Sequence, residues 1–322
     1  MKAAVLSYPT SNNLGDPIQS IAAAELLSEK PLAINRDALD SYTGETVKLL
    51  MNGWFMEVPQ HWPPSKSIAP LFISFHLNPT AAAGMLSPLG VSYFKDHQPI
   101  GCRDRYTQKI LEEKGIKTYF TGCLTLSLKR ERFVAPKTKR LGILVLSVHE
   151  RMLPEFNGLK NASLKTIFED VIQICKYPGK RKAYLKVKNH LDRFLKKQTI
   201  PIHFSSQIVA TKNYDEAERG LLAIEQLEKI AKAAYVITSR IHTALPAVAM
   251  GTPVLFLSDG LEHLNQNSRL KGLDDFFPVI KTEELKTIQL ASLKATTKHL
   301  PYVKEMKKEI TTFFSTLEKR TD

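Results

Sequence analysis

Ser239, Arg240 and His242 lie between two apolar runs in 235-YVITSRIHTALPAVAMGTPVLFL-257. The segment 235-YVITS-239 reads as a buried parallel strand. A helix follows from about residue 241, Gly251 stops it, and a strand begins at 253-PVLFLS-258. Arg240 and His242 are therefore expected at the carboxyl end of a strand, beside a helix N-terminus. The helix dipole disfavours a cation at that end, so an anionic ligand would reconcile Arg240 with its position. His242 would titrate low there unless an anion lies close. A lone histidine is more often packed or capping, but with an arginine two residues away the balance moves toward ligand chemistry.

Two further stretches carry polar groups at expected strand-to-helix junctions. In 12-NNLGDPIQS-20, Gly15 allows a close backbone approach and Asp16 suits a helix cap before Pro17. The free amides of that helix could face an anion, with Asn13 and Gln19 as polar neighbours. A simple cap explains all but Gln19. Neither a phosphate-binding G-K-[ST] loop nor a G-x-G-x-x-G fingerprint is present. In 100-IGCRDRYTQ-108, Arg103 and Arg105 flank a cap at Asp104, and a guanidinium at a strand end suits a carboxylate or phosphate. A surface ion pair is an equal alternative. His76 ends another strand, 71-LFISFHLNP-79, and no H-E-x-x-H or similar cluster points to a metal.

These positions imply an α/β chain with two Rossmann-like parallel-sheet domains facing a cleft. Strands are expected at 3–8, 31–35, 46–51, 71–76 and 116–123, and again at 141–148, 200–204, 235–239 and 253–258. Helices are expected at 17–29, 104–115, 161–176, 183–197 and 217–233, with an amphipathic helix at 302–319. The basic stretch 128-LKRERFVAPKTKR-140 marks the division, giving an N-terminal domain over 1–135, a C-terminal domain over 136–300 and a terminal helix over 301–322. That helix is placed to pack back on the first domain.

The 322 residues carry 45 Lys and Arg against 32 Asp and Glu, a formal charge of +13. Such a surplus favours anionic partners, although a solvated basic face accounts for much of it. No nucleic-acid-binding module accompanies it. Three cysteines without a C-x-x-C pair fit a reducing compartment. With no signal-like start and no run of about 18 apolar residues, a soluble cytoplasmic protein is expected.

With these residues in view, the chain resembles the polysaccharide pyruvyl transferases. The resemblance rests on 13-NLGDPIQ-19, 52-NGWF-55, 101-GCRDRYTQKILEEKGI-116 with 121-TGCLTLSL-128, and 237-ITSRIHTALPAVAMGTPVLFL-257. It implies a fold similar to the GT-B glycosyltransferases and transfer of pyruvate from phosphoenolpyruvate to a saccharide as a cyclic ketal. It also implies donor contacts from Arg240, Ile241 and His242, with Ser239 beside them. His242 is then the candidate general acid, and Asp16 either a base for the sugar hydroxyl or only a cap. Asn13, Gly15, Gln19, Arg103 and His76 are candidate anion or acceptor contacts. No metal or cofactor is required beyond phosphoenolpyruvate as co-substrate. The acceptor is expected to be lipid- or nucleotide-linked, with peripheral contact to an anionic membrane. Cys123 and the expected turn at Asn52-Gly53-Trp54 depart from the family pattern. The alternatives are a GT-B-type glycosyltransferase using a nucleotide sugar and a non-catalytic binder of anionic glycans.

Overall fold

The computed structural model describes residues 1–153, 164–210 and 213–315. Two parallel sheets organise the chain. The first contains β1 (Lys2–Ser7), β2 (Leu32–Asn35), β3 (Val47–Phe55), β4 (Ile68–Leu77), β5 (Ile100–Cys102) and β6 (Thr118–Phe120), in the order β2-β1-β3-β4-β5-β6. The second contains β7 (Leu141–Leu146), β8 (Ile202–Ser205), β9 (Ala233–Thr238), β10 (Val254–Leu257) and β11 (Val279–Ile280), in the order β11-β10-β9-β7-β8. The central strands are nearly continuous apolar runs, such as LGILVL in β7 and VLFL in β10, as burial on both faces requires.

The helices are α1 (Gly15–Ala24), α2 (Ala82–Met85), α3 (Pro88–Asp96), α4 (Arg105–Glu112), α5 (Leu164–Leu195), α6 (Glu216–Lys232), α7 (Ile241–Ala249), α8 (Leu264–Asn267) and α9 (Leu300–Ser315). Each sheet reverses direction beside its first strand, between β1 and β3 and between β7 and β9. Ligands of doubly wound sheets bind at the carboxyl side of such a reversal. The arrangement is the expected pair of Rossmann-like units. One apolar core runs between them, joining Val5, Ile18 and Leu50 to Leu144, Leu227 and Leu245. Helix α9 contributes Val303, Met306 and Ile310 to it, and Lys48 of β3 donates to the Phe313 carbonyl.

Several expectations need correction. One helix, α5, replaces the two expected at 161–176 and 183–197, with Pro178 inside it. Pro178 forfeits a helical hydrogen bond but lies on an exposed turn, where water can satisfy the freed carbonyl. Residues 161–163 and 316–319 of the expected helices lie outside the described residues. The Asn52-Gly53-Trp54 turn is instead part of β3, where the register against β4 shifts between Met51 and Gly53. Gly53 takes φ 85°, and a Cβ there would lie 2.9 Å from Gln19 Oε1 and 3.0 Å from Tyr8 Oη. The basic stretch at 128–140 is more than a solvated face, because Arg130 donates to the carbonyls of Ala231 and Thr138. Cys102, Cys123 and Cys175 are free.

Candidate functional site

The N-termini of α1 and α7 meet where the two units join. Gly15 opens α1, and a Cβ on it would stand 2.5 Å from Gln207 Nε2 and 2.9 Å from both Cβ and Nδ1 of His242. Only glycine allows this approach. The preceding loop is stitched to the second unit: Leu14 donates to the Gln207 carbonyl at 2.8 Å, and Val209 to that of Asn12 at 2.8 Å. Gln207 Nε2 donates to Asn13 Oδ1 at 2.6 Å, while its Oε1 accepts from Thr243 of α7 at 2.7 Å. We expect Gly15→Ala to cost about 1–3 kcal/mol of stability by overpacking. It should also impair ligand binding at His242, as thermal unfolding and ligand titration of the variant would show.

Asp16 is not the cap. Leu14 occupies that position, and Asp16 lies in the first turn, accepting from Ser11 Oγ at 2.5 Å and Gln19 Nε2 at 3.4 Å. Asn13 does the capping work instead, because its Oδ1 and carbonyl take the amides of Gly15 and Asp16 at 3.1 and 3.0 Å. Pro17 has no amide to offer. The first turn of α1 therefore has no free donor for an anion, contrary to expectation. Burial raises the Asp16 pKa above the usual carboxylate range, against the pull of Arg36 and its Ser11 hydrogen bond.

The α7 end differs. Arg240 is its N-cap, and among the described residues no acceptor faces the amides of Ile241 and His242. Ser239 is committed to the Leu257 carbonyl at 2.7 Å. The Arg240 guanidinium is paired with Glu150 at 2.9 Å, so a protein carboxylate already answers part of its conflict with the dipole. His242 is buried and its Nε2 has no partner. Burial, then the charges of Arg103, Arg269 and Arg151, hold its pKa well below the usual imidazole range.

Arg103 is the most unusual group nearby. Its side chain is 0% exposed, and among the described residues none of its three guanidinium nitrogens finds a hydrogen-bond partner. Its ionic neighbour among them is Asp104, 3.6 Å from Nε. That carboxylate is also engaged by His76 Nδ1 at 2.6 Å and by the Thr107 amide at 2.9 Å. The Asp104 cap of α4 thus stands as expected, but Arg103 is no surface ion pair. His76 is buried with Nε2 unpaired, and burial lowers its pKa to about 4. Neutral His76 carries its proton on Nδ1, toward Asp104, which leaves an acceptor lone pair on Nε2. Arg269 completes the cluster, with an unpaired Nε and its cation disfavoured by burial and by Arg151 and Arg103. Buried guanidinium nitrogens without hydrogen bonds are costly, and an anion would relieve that cost.

Two recesses meet here. One, a small cavity of about 20 Å³, is lined by Ser239, Arg240, Ile241, His242, Arg151 and Arg269 among others. The second, of about 370 Å³, is lined by Tyr8, Asp16, Arg36 and Trp54 among others. Asn13 and Arg269 border both. Tertiary structure thus brings Ser239, Arg240, Ile241 and His242 to one recess and Asp16 to the other. Gly15 and Gln19 are spacers behind them. Glu150, Arg151, Gln207 and Arg269 were missed, and no motif in their local sequence marks them. Among the described residues no group of three His, Cys, Asp or Glu is placed to hold a metal.

The family model for polysaccharide pyruvyl transferase matches residues 13–260. The chain belongs to the polysaccharide pyruvyl transferases. No curated protein matches the chain. Among solved structures it is similar to a functionally uncharacterised protein from Klebsiella pneumoniae, at 12% identity and TM-score 0.46, covering 87% of this chain and 92% of that one. It is also similar to a variant of the wall teichoic acid polymerase TagF, at 11% identity and TM-score 0.38, covering 98% and 83%. The matched segment spans the reversal of the second sheet and every residue of the α7 recess except Leu261, Gln266, Arg269 and Leu270.

The two buried histidines, His76 and His242, set an acid limit on the fold of this family member. An unfolded histidine takes up a proton near pH 6.5, whereas His76 does so near 4 and His242 well below its usual range. The unfolded state therefore binds more protons in this window, and stability falls as pH drops from about 6.5 toward 4. Thermal midpoints measured across that window should show a shallower fall in His242→Gln than in the parent.

Proposed function

We propose that the protein transfers pyruvate from phosphoenolpyruvate to a sugar of a cell-surface polysaccharide, or to its lipid- or nucleotide-linked precursor, forming a cyclic ketal. The observation that carries this reading is the fully buried Arg103 guanidinium without a hydrogen-bond partner, grouped with the unpaired His242 and Arg269. A donor bearing both phosphate and carboxylate suits several convergent cations and the two free amides of α7.

In this scheme Arg103, Arg269 and the α7 amides hold the donor's anionic groups. Arg240 either keeps Glu150 or exchanges it for the donor. The bound anion raises the His242 pKa, so that the imidazole gains a proton as the donor enters. His242 then gives that proton to the methylene carbon of phosphoenolpyruvate, and the adjacent carbon takes on oxocarbenium character. A sugar hydroxyl attacks that carbon and loses its proton, for which Asp16 in the adjoining recess is the candidate base. Inorganic phosphate leaves, and a second hydroxyl closes the ketal as its proton passes to the departing phosphate. Each turnover consumes one donor and releases one phosphate. Phosphoenolpyruvate and activated sugars both place the reaction in the cytoplasm, at the membrane's inner face where the acceptor is lipid-linked. No helix of the described residues is long and apolar enough to cross a membrane.

The test is incubation with phosphoenolpyruvate and a panel of lipid-linked and nucleotide-linked sugars. Phosphate release that depends on one acceptor, with a pyruvyl mass increment on that acceptor, supports the proposal. Thermal stabilisation by nucleoside diphosphates but not by phosphoenolpyruvate would instead assign a nucleotide-sugar glycosyltransferase.

A further inference from the structure

The geometry points to helix α5 as the surface that docks on an anionic lipid membrane, with Val171, Ile174 and Leu185 entering the headgroup layer between flanking lysines and arginines. The docking stands on α5 itself. Only its use, the delivery of a lipid-linked acceptor, rests on the proposed pyruvyl transfer.

Charge is concentrated on this helix. From Val171 to Leu191 the chain has six lysines and arginines and no acidic residue. Over residues 171–198 nine cations stand against one carboxylate, Asp192, which Lys188 already holds. A surplus of eight out of the chain's +13 thus lies on this one segment. A block of like charge repels itself, and an anionic surface relieves it.

The apolar residues of α5 form two stripes. Leu191 and Phe194 are buried with Ile143 and Ile237 in the core of the second sheet. The other stripe carries Val171, Ile174 and Leu185, which are 49%, 59% and 45% exposed. At about 100° per residue these three fall within about 60° of one another, on the side away from Leu191 and Phe194. The same spacing sets Lys182, Lys186, Arg193 and Lys197 along one flank of the stripe and Arg181 and Lys188 along the other. All six are exposed. The first row ends at a groove of about 530 Å³ beside the Thr282–Thr287 turn, where Lys286 joins Arg193 and Lys197.

An exposed apolar stripe in a cationic frame matches an interfacial helix. Its apolar side sinks among the headgroups while lysine and arginine reach the lipid phosphates. Nucleic acid would use the charge and leave the stripe unexplained. A second copy of the chain would set like charge against like. The place also suits an acceptor carried on a lipid. Helix α5 packs against the Glu150–Met152 turn, and Glu150 is the partner of Arg240. The docking helix thus adjoins the donor recess.

Sedimentation of the full chain with vesicles tests this face, using equal parts phosphatidylglycerol and phosphatidylcholine, or phosphatidylcholine alone. Binding should be about tenfold tighter or more to the anionic vesicles at about 0.1 M salt, and should weaken by a similar factor at about 0.5 M. Ile174→Gln combined with Leu185→Gln, and separately Lys182→Glu combined with Lys186→Glu, should each weaken it about tenfold or more. Neither pair should lower the thermal midpoint, because all four side chains are exposed. No preference for anionic vesicles, or full binding by the glutamine pair, would overturn the docking face. So would retention on a DNA duplex in place of vesicles, or a dimer that the glutamine pair dissolves. Vesicle binding that meets these expectations, with no acceptor-dependent phosphate release from phosphoenolpyruvate, would leave the docking face standing and sink pyruvyl transfer. Pyruvyl transfer by a protein that ignores the vesicles would do the reverse.

Discussion

Arg103→Met should remove nearly all transfer activity while leaving the protein as stable as before, or more so. Most losses of a buried polar residue damage fold and function together. Here the guanidinium is fully buried and makes no hydrogen bond in the free protein. Its desolvation cost is borne for a ligand, and an unbranched apolar side chain of similar length removes that cost. Asp104 keeps His76 and the Thr107 amide, so its own charge is not stranded. In the bound state the same guanidinium would make charge-assisted hydrogen bonds whose loss costs about 2–5 kcal/mol. That corresponds to a fall in kcat/KM for phosphoenolpyruvate of about 30- to 5,000-fold. Steady-state kinetics with calorimetric unfolding of the same sample checks both halves. A large loss of stability would show that Arg103 is structural.

The second large effect concerns His242, where two roles must be separated. As proton donor to the methylene carbon, its replacement by Gln should lower kcat by about 10²- to 10⁴-fold with donor affinity little changed, because the amide can still hydrogen-bond the phosphate. As a mere anion holder, the same variant would keep kcat and weaken donor binding. We expect the first pattern. His242 is neutral in the free protein, since burial and three arginines depress its pKa. Donor binding at neutral pH should therefore draw about one proton from solution. Calorimetric titration in buffers of different ionisation enthalpy measures that uptake, and His242→Gln should abolish it. Persistent uptake in the variant would place the proton on another group.

The strand-end logic worked because apolar runs and their punctuation are local signals. The 235–257 segment announces strand, helix and strand by composition alone, and the observed elements differ from expectation by about a residue or two. The same reading erred where a polar neighbour across space decided the outcome. Asp16 looked like a cap, but Asn13 reached its first-turn amides and left the carboxylate facing a recess. Arg240 looked unpaired until Glu150 arrived from the loop after β7. Two helices were expected at 161–176 and 183–197, yet they are one, because the exposed turn at Pro178 tolerates the missing amide.

From the sequence alone came the α/β alternation, the two units, the family resemblance and the strand-end positions of Arg103, Arg240 and His242. These follow from periodicity, glycine stops and residue type, which need no knowledge of distant partners. Tertiary structure alone decided that Gly15 touches His242, that Arg269 from a motif-free stretch joins both recesses, and that Arg103 is wholly enclosed with no hydrogen-bond partner among the described residues. The physical reason is that burial and pairing are properties of the packed volume. Whether a guanidinium rests on water, a carboxylate or nothing depends on segments that only the fold brings near, as Glu150 comes to Arg240.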